Sequence, residues 1–305
     1  MAKSDGPVVV GYDGSPDADW ALDWAAREAA HRHRDLVILF AIDMSGLYRP
    51  KVATGRHGNY PQEMADAIVA GGIARARKAA PGVSVSSKTT IVGAAAALTG
   101  ASVKASLLVV GGRGRSRLAE ALLGTVQFAV TAHAECSVVV VPPGCDVVAD
   151  AEHAVVVGVD GSEGSTHAAR AAAETAASRG AVLKMVGAWE KPPADEWSRY
   201  YIIDDALRQE IYAAARANAA QHVKKAAQSI KEEYADVDVR DVVTEGRPSR
   251  VLTTESEEAG LVVVGARGGG DMASLMLGSV GRNLIHSTRC PVAIIHSHCS
   301  RHDQR

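Results

Sequence analysis

The chain has 305 residues, 47% of them hydrophobic, with a formal net charge of −2 and a pI near 6.6. That length suggests about two domains. The near-neutral balance argues against the basic face of a nucleic-acid binder and against a polybasic segment for anionic lipid.

Residues 1–6 are polar and lack the apolar run of a secretory signal, so a cytoplasmic location is expected. A strand is predicted over 7–12, followed by Ser15 as helix N-cap and Pro16 at the first helical position. That helix should run to about His31, with a second strand over 36–42. Loop 43–60 carries Arg49, Lys51, Arg56 and His57, a solvated loop or a lid. A helix is expected near 61–80, a strand around 83–92, an alanine-rich helix around 94–104 and a strand over 106–111. A glycine loop leads to a helix over 125–134 and a fifth strand over 137–141. The apolar stretch 91–112 is long enough to span a bilayer, but it splits into a small-residue half and a β-rich half, and we read helix then strand. No membrane contact is expected.

The same order then repeats. Val8-Val9-Val10-Gly11-Tyr12-Asp13-Gly14-Ser15 returns as Val155-Val156-Val157-Gly158-Val159-Asp160-Gly161-Ser162. Leu123-Gly124-Thr125-Val126 returns as Leu277-Gly278-Ser279-Val280. Asp160 stands 147 residues after Asp13, and Gly278 stands 154 after Gly124. The second copy therefore carries about seven extra residues, expected in the Pro-, Trp- and Tyr-containing segment 190–201. Pro142-Pro143-Gly144 and the acidic residues after it mark the boundary, giving one domain over 1–146 and another over 147–305.

Strands such as Val138-Val139-Val140-Val141 are apolar without alternation, which means burial on both faces in a parallel sheet covered by helices. The fold class is therefore α/β, with two tandem doubly wound five-stranded sheets of Rossmann-like type. Right-handed crossovers favour the strand order 3-2-1-4-5. Winding then reverses between strands 1 and 4, where such sheets bind ligands at their carboxyl ends. Asp13 follows strand 1 and Gly111 ends strand 4, so both motifs meet there.

After strand 4 the first copy reads Gly111-Gly112-Arg113-Gly114, nine residues, then Gly124-Thr125. The second reads Gly265-Ala266-Arg267-Gly268, nine residues, then Gly278-Ser279. Glycines let backbone N–H groups approach phosphate oxygens, and the following helix mouth adds unpaired donors and a positive dipole end. The Thr125 hydroxyl can reach a terminal phosphate or a bound metal. Arg113 and Arg267 add charge. The intervening segment holds Arg115 and Arg117 in the first copy but Gly269, Gly270 and Asp271 in the second, so the first site is more basic. A lone GxxG would read as a tight turn, but the pattern occurs twice at corresponding places. Neither a Walker P-loop nor a GxGxxG after strand 1 is present.

These motifs resemble the universal stress protein family, in its tandem, ATP-binding form, over 7–142 and again over 154–297. The resemblance implies the adenine-nucleotide α-hydrolase-like fold, with the two units pairing through their last strands or the chain forming a homodimer. It implies ATP, with Mg²⁺ or Mn²⁺, along the ends of strands 1 and 4. Asp13 and Asp160 would contact the adenosine half, and the backbone of Ala41 and Ala188 the adenine. The phosphates would lie over Gly111, Gly114, Gly124 and Thr125, and over Gly265, Gly268, Gly278 and Ser279. A carboxylate repels phosphate, so the aspartates belong at a ribose hydroxyl or a metal; a turn or cap is the structural alternative.

No catalytic constellation repeats between the copies, so little or no catalysis is expected. A slow ATPase, a sensor of AMP or a cyclic nucleotide, and an interaction scaffold without nucleotide are the alternatives. The four cysteines, Cys136, Cys145, Cys290 and Cys299, are too few for a disulfide scaffold. The tail with His296, His298, Cys299 and His302 reads as a frayed end rather than a metal site.

Overall fold

The computed structural model describes residues 5–42, 60–112, 125–191, 204–268 and 277–296. In the first unit the elements are β1 (Val8–Gly11), α1 (Pro16–Arg32), β2 (Leu36–Ala41), α2 (Tyr60–Ala79), β3 (Val85–Thr90), α3 (Ala94–Ser102), β4 (Leu107–Gly111), α4 (Thr125–His133) and β5 (Val138–Val141). In the second they are β6 (Ala154–Gly158), α5 (Glu163–Arg179), β7 (Leu183–Trp189), α6 (Asp205–Glu233), β8 (Val239–Glu245), α7 (Pro248–Glu255), β9 (Ala259–Gly265), α8 (Ser279–Ser287) and β10 (Val292–Ile295). The chain divides into two compact units near Asp146 and Val147.

Within the first unit the strand order is β3-β2-β1-β4-β5, and within the second β8-β7-β6-β9-β10. The strand pairings within each unit are parallel. This is the order 3-2-1-4-5 read from the sequence. Contacts of α1 with α2 and of α3 with α4 place one helix pair on each face, and the second unit repeats this with α5/α6 and α7/α8. The stretch 91–112 is helix α3 followed by strand β4. No helix among the described residues is long and apolar enough to cross a membrane.

Central strands are buried along their length, as in Val138–Val141. Each fully buried valine contributes about 1.5–3 kcal/mol. The outer strands differ. β3 exposes Ser86, Ser87 and Lys88, and β8 exposes Arg240 and Asp241. Charged and polar side chains on an edge discourage pairing with another sheet.

The caps follow the sequence. Ser15 Oγ accepts from Ala18 N at 3.2 Å with Pro16 after it, and Ser162 Oγ accepts from Ser165 N at 3.1 Å. Helix α5 lies on β6 and β9 through Ala168, Ala169, Ala172, Ala173 and Ala176. Small side chains bring its backbone close to the sheet.

Helix α6 has 29 residues and α2 has 20. Their ends, Glu233 and Ala79, correspond. The expected site of the second copy's extra residues, 190–201, lies mostly outside the described residues.

Ala172→Leu inserts three heavy atoms where no space exists. It should lower stability by about 1–3 kcal/mol, read from the urea midpoint. An unchanged midpoint would mean that α5 can lift from the sheet without cost.

Candidate functional site

Adjacent strands β1 and β4 end at Gly11 and Gly111, and β6 and β9 at Gly158 and Gly265. From these ends two kinds of loop emerge. The first is an aspartate turn. Asp13 Oδ1 accepts from Ser15 N at 2.9 Å, with Gly14 between them at φ 75°. Asp160 Oδ1 accepts from Ser162 N at 3.0 Å and from Ser162 Oγ at 2.5 Å, with Gly161 at φ 82°. The left-handed conformation explains the glycine in both turns. One carboxylate oxygen thus organises the turn, as the capping alternative required. It also fixes where the second oxygen lies.

The second kind is the glycine loop, described in full up to Gly268 in the second unit. A Cβ placed on Gly268 would stand 2.6 Å from Asp160 Oδ2. The loop after β9 therefore runs against the aspartate after β6. The mouth of α8 closes the arrangement. Gly278 is its N-cap, without a side-chain cap, and Gly278 N donates to Ala266 O at 3.0 Å. The first-turn N–H groups of an α-helix have no partner within the helix, and they carry its positive dipole end. Arg267 and Ser279 are exposed beside them. Asp160, Gly265, Arg267, Gly268, Gly278 and Ser279 are thus gathered at one edge of the sheet. Ala188 is half-buried one residue before the end of β7.

In the first unit Asp13, Gly111 and Ala41 occupy the matching positions, Ala41 as the last residue of β2. Thr125 opens α4. Arg113, Gly114 and Gly124 lie outside the described residues, as do Arg115, Arg117, the lid candidate at 43–59, Gly269, Gly270, Asp271 and the tail residues beyond His296.

Gly111 and Gly265 have a packing role of their own. A Cβ on Gly111 would stand 3.0 Å from Asp17 O of α1. One on Gly265 would stand 2.7 Å from the Gly164 carbonyl carbon and 2.8 Å from its oxygen. These glycines let a helix's first turn rest on a neighbouring strand end.

Sequence reasoning missed a cluster beside Asp13. Tyr12 OH donates to Asp19 Oδ1 at 2.8 Å. Arg75 donates to Asp19 Oδ2 at 3.1 Å and grips Asp23 with Nε and Nη2 at 2.8 and 2.6 Å. Burial, reinforced by Asp19, pushes the Tyr12 hydroxyl well above the ordinary tyrosine range, so it stays a proton donor. The cluster ties α2 to α1. Asp19 and Asp23 are spaced four apart on α1, the available signal, but Arg75 is 52 residues from Asp23. Val159 replaces Tyr12 in the second copy. No group of three or more His, Cys, Asp or Glu suited to a metal occurs among the described residues.

Gly265→Ala meets backbone and should cost about 1–3 kcal/mol, read from the denaturation midpoint. Gly268→Ala meets the end of a side chain, Asp160 Oδ2, rather than backbone, and should cost less than Gly265→Ala. The reverse order would remove the packing role of Gly265.

Comparison with known proteins agrees with this architecture. The model of the Universal stress protein family matches residues 6–142 and again 153–296. A Mycobacterium tuberculosis protein described as Universal stress protein Rv2005c is 32% identical over 292 residues, covering 94% of this chain and 96% of its own. Universal stress protein Rv2623 of the same species is 33% identical over 299 residues, covering 94% and 95%. A crystal structure of a universal stress protein from Archaeoglobus fulgidus superposes with a TM-score of 0.68 at 18% identity, over 96% of this chain and 99% of that one, a likeness of fold. With the family model matched over both halves, the chain belongs to the universal stress protein family, carrying two copies of its domain in tandem.

Proposed function

We propose that the chain is a cytoplasmic stress-response regulator that binds ATP, one molecule per unit, with little or no catalysis. The observation that supports this most is the convergence in the second unit of the Asp160 turn, the loop through Gly268 and the uncapped mouth of α8. A carboxylate next to a glycine loop and a helix mouth suits a ligand with a hydroxylated end and an anionic end.

In this reading Asp160 accepts from the ribose hydroxyls. The Ala188 backbone meets adenine. The phosphates lie over Gly265, Gly268, Gly278 and Ser279, at the glycine loop and the first turn of α8, with Arg267 adding charge. Asp13, Ala41, Gly111, Arg113, Gly114, Gly124 and Thr125 take these roles in the first unit. Mg²⁺ or Mn²⁺ would accompany the triphosphate. Hydrolysis needs a residue that orients water on the γ-phosphate. The described site residues supply donors and one turn-bound carboxylate, which suits binding better than turnover.

Denaturing the purified protein and identifying the released small molecule by mass tests the proposal, with ATP or another adenine nucleotide expected. Added ATP at a hundred times its dissociation constant should stabilise each unit by about 2.7 kcal/mol, raising the melting temperature. No released nucleotide together with an unmoved melting temperature would favour an interaction scaffold.

A further inference from the structure

The two crevices differ at one position that packs directly on the aspartate turn. Gly14 faces Ile68 of α2, and a Cβ on it would stand 2.9 Å from Ile68 Cγ2. Gly161 faces His222 of α6, and a Cβ on it would stand 2.6 Å from Nδ1 and 2.7 Å from Cε1. Ile68 and His222 hold the same place in their helices, each eleven residues before the last helical residue, Ala79 or Glu233. The turns they touch are also equivalent.

Their surroundings give them different work. Ile68 packs against Phe40, Ala65 and Val69, an apolar cluster between α2 and β2. His222 is half-buried. The next residue of α6, Val223, packs on Gly187 of β7, where a Cβ would stand 2.6 Å from Val223 Cγ2. Gly187 precedes Ala188. Consecutive residues of one helix therefore reach two neighbouring places: the turn that carries Asp160 and the strand end that carries Ala188. In the nucleotide reading above, these two places, Asp160 and Ala188, are the ones that meet the nucleoside. An imidazole there offers one donor and one acceptor in its neutral form. An isoleucine offers neither.

We propose that His222 is a ligand contact peculiar to the second crevice, hydrogen-bonding the nucleoside part of the bound nucleotide. The first crevice, with Ile68, holds the same nucleotide without that bond. The inference rests on the nucleotide reading above and adds a residue that distinguishes the two sites.

The test uses the full chain, titrated with MgATP. Calorimetry counts the sites, and proton NMR follows the imidazole Cε1–H signals. The His222 signal is identified by its loss in His222→Ile, which installs the residue that the first unit tolerates, and again in His222→Gln. In the unaltered protein that signal should shift as one of two sites fills. His222→Ile should weaken that site about three- to tenfold and leave the other unchanged. His222→Gln, which keeps hydrogen-bonding capacity, should retain more of the affinity than His222→Ile. Two filled sites with a motionless His222 signal and unchanged affinities would overturn the role of His222 while leaving nucleotide binding intact. No ATP binding by the unaltered protein would defeat the nucleotide reading, and the His222 contact with it.

Discussion

A helix can rest its backbone on a strand end only where no Cβ stands between them. At Gly265 the first turn of α5 comes so close, at Gly164, that a single methyl group would overlap it. Gly111 and Asp17 repeat the contact in the first unit, less tightly. The arrangement of the candidate site follows from this approach. It seats each helix that an aspartate turn begins beside the strand that feeds the glycine loop. Asp160 and Gly268, 108 residues apart, become neighbours as a result. A glycine that reads as a phosphate motif is thus required by the architecture before any ligand is considered.

The aspartates serve in a similar double way. Oδ1 of each closes a short turn onto the capping serine. The turn costs the site no freedom and fixes the carboxylate. In Asp160 the other oxygen lies against the loop from β9. A preorganised acceptor next to a helix mouth needs little rearrangement on binding.

Duplication did not leave two identical units. The first ties α2 to α1 with Tyr12, Asp19, Asp23 and Arg75, where the second has the apolar Val159. The second sets His222 on the aspartate turn where the first has Ile68. Both changes fall on the second helix of the unit and its neighbours. The central strands keep their pattern. Residues buried on both sides of a parallel sheet have few alternatives, whereas a helix at the sheet's rim can exchange polar for apolar contacts at modest cost.

By itself the sequence determined the fold class, the strand order and the caps. Unbroken valine runs require burial on both faces, Ser-Pro starts a helix, and right-handed crossovers leave few orders. These are local or near-local constraints, carried by a few consecutive residues. The repeat made the aspartate turns and the glycine pattern legible, because the same residues stood at matching places twice. Only the tertiary structure decided that Gly265 packs on Gly164, that Arg75 joins Asp19 and Asp23, and that His222 meets Gly161. Each of these joins residues far apart in the chain. Nothing in the spacing of one helix says which turn of another element will face it, because that depends on how closely both settle on the sheet between them.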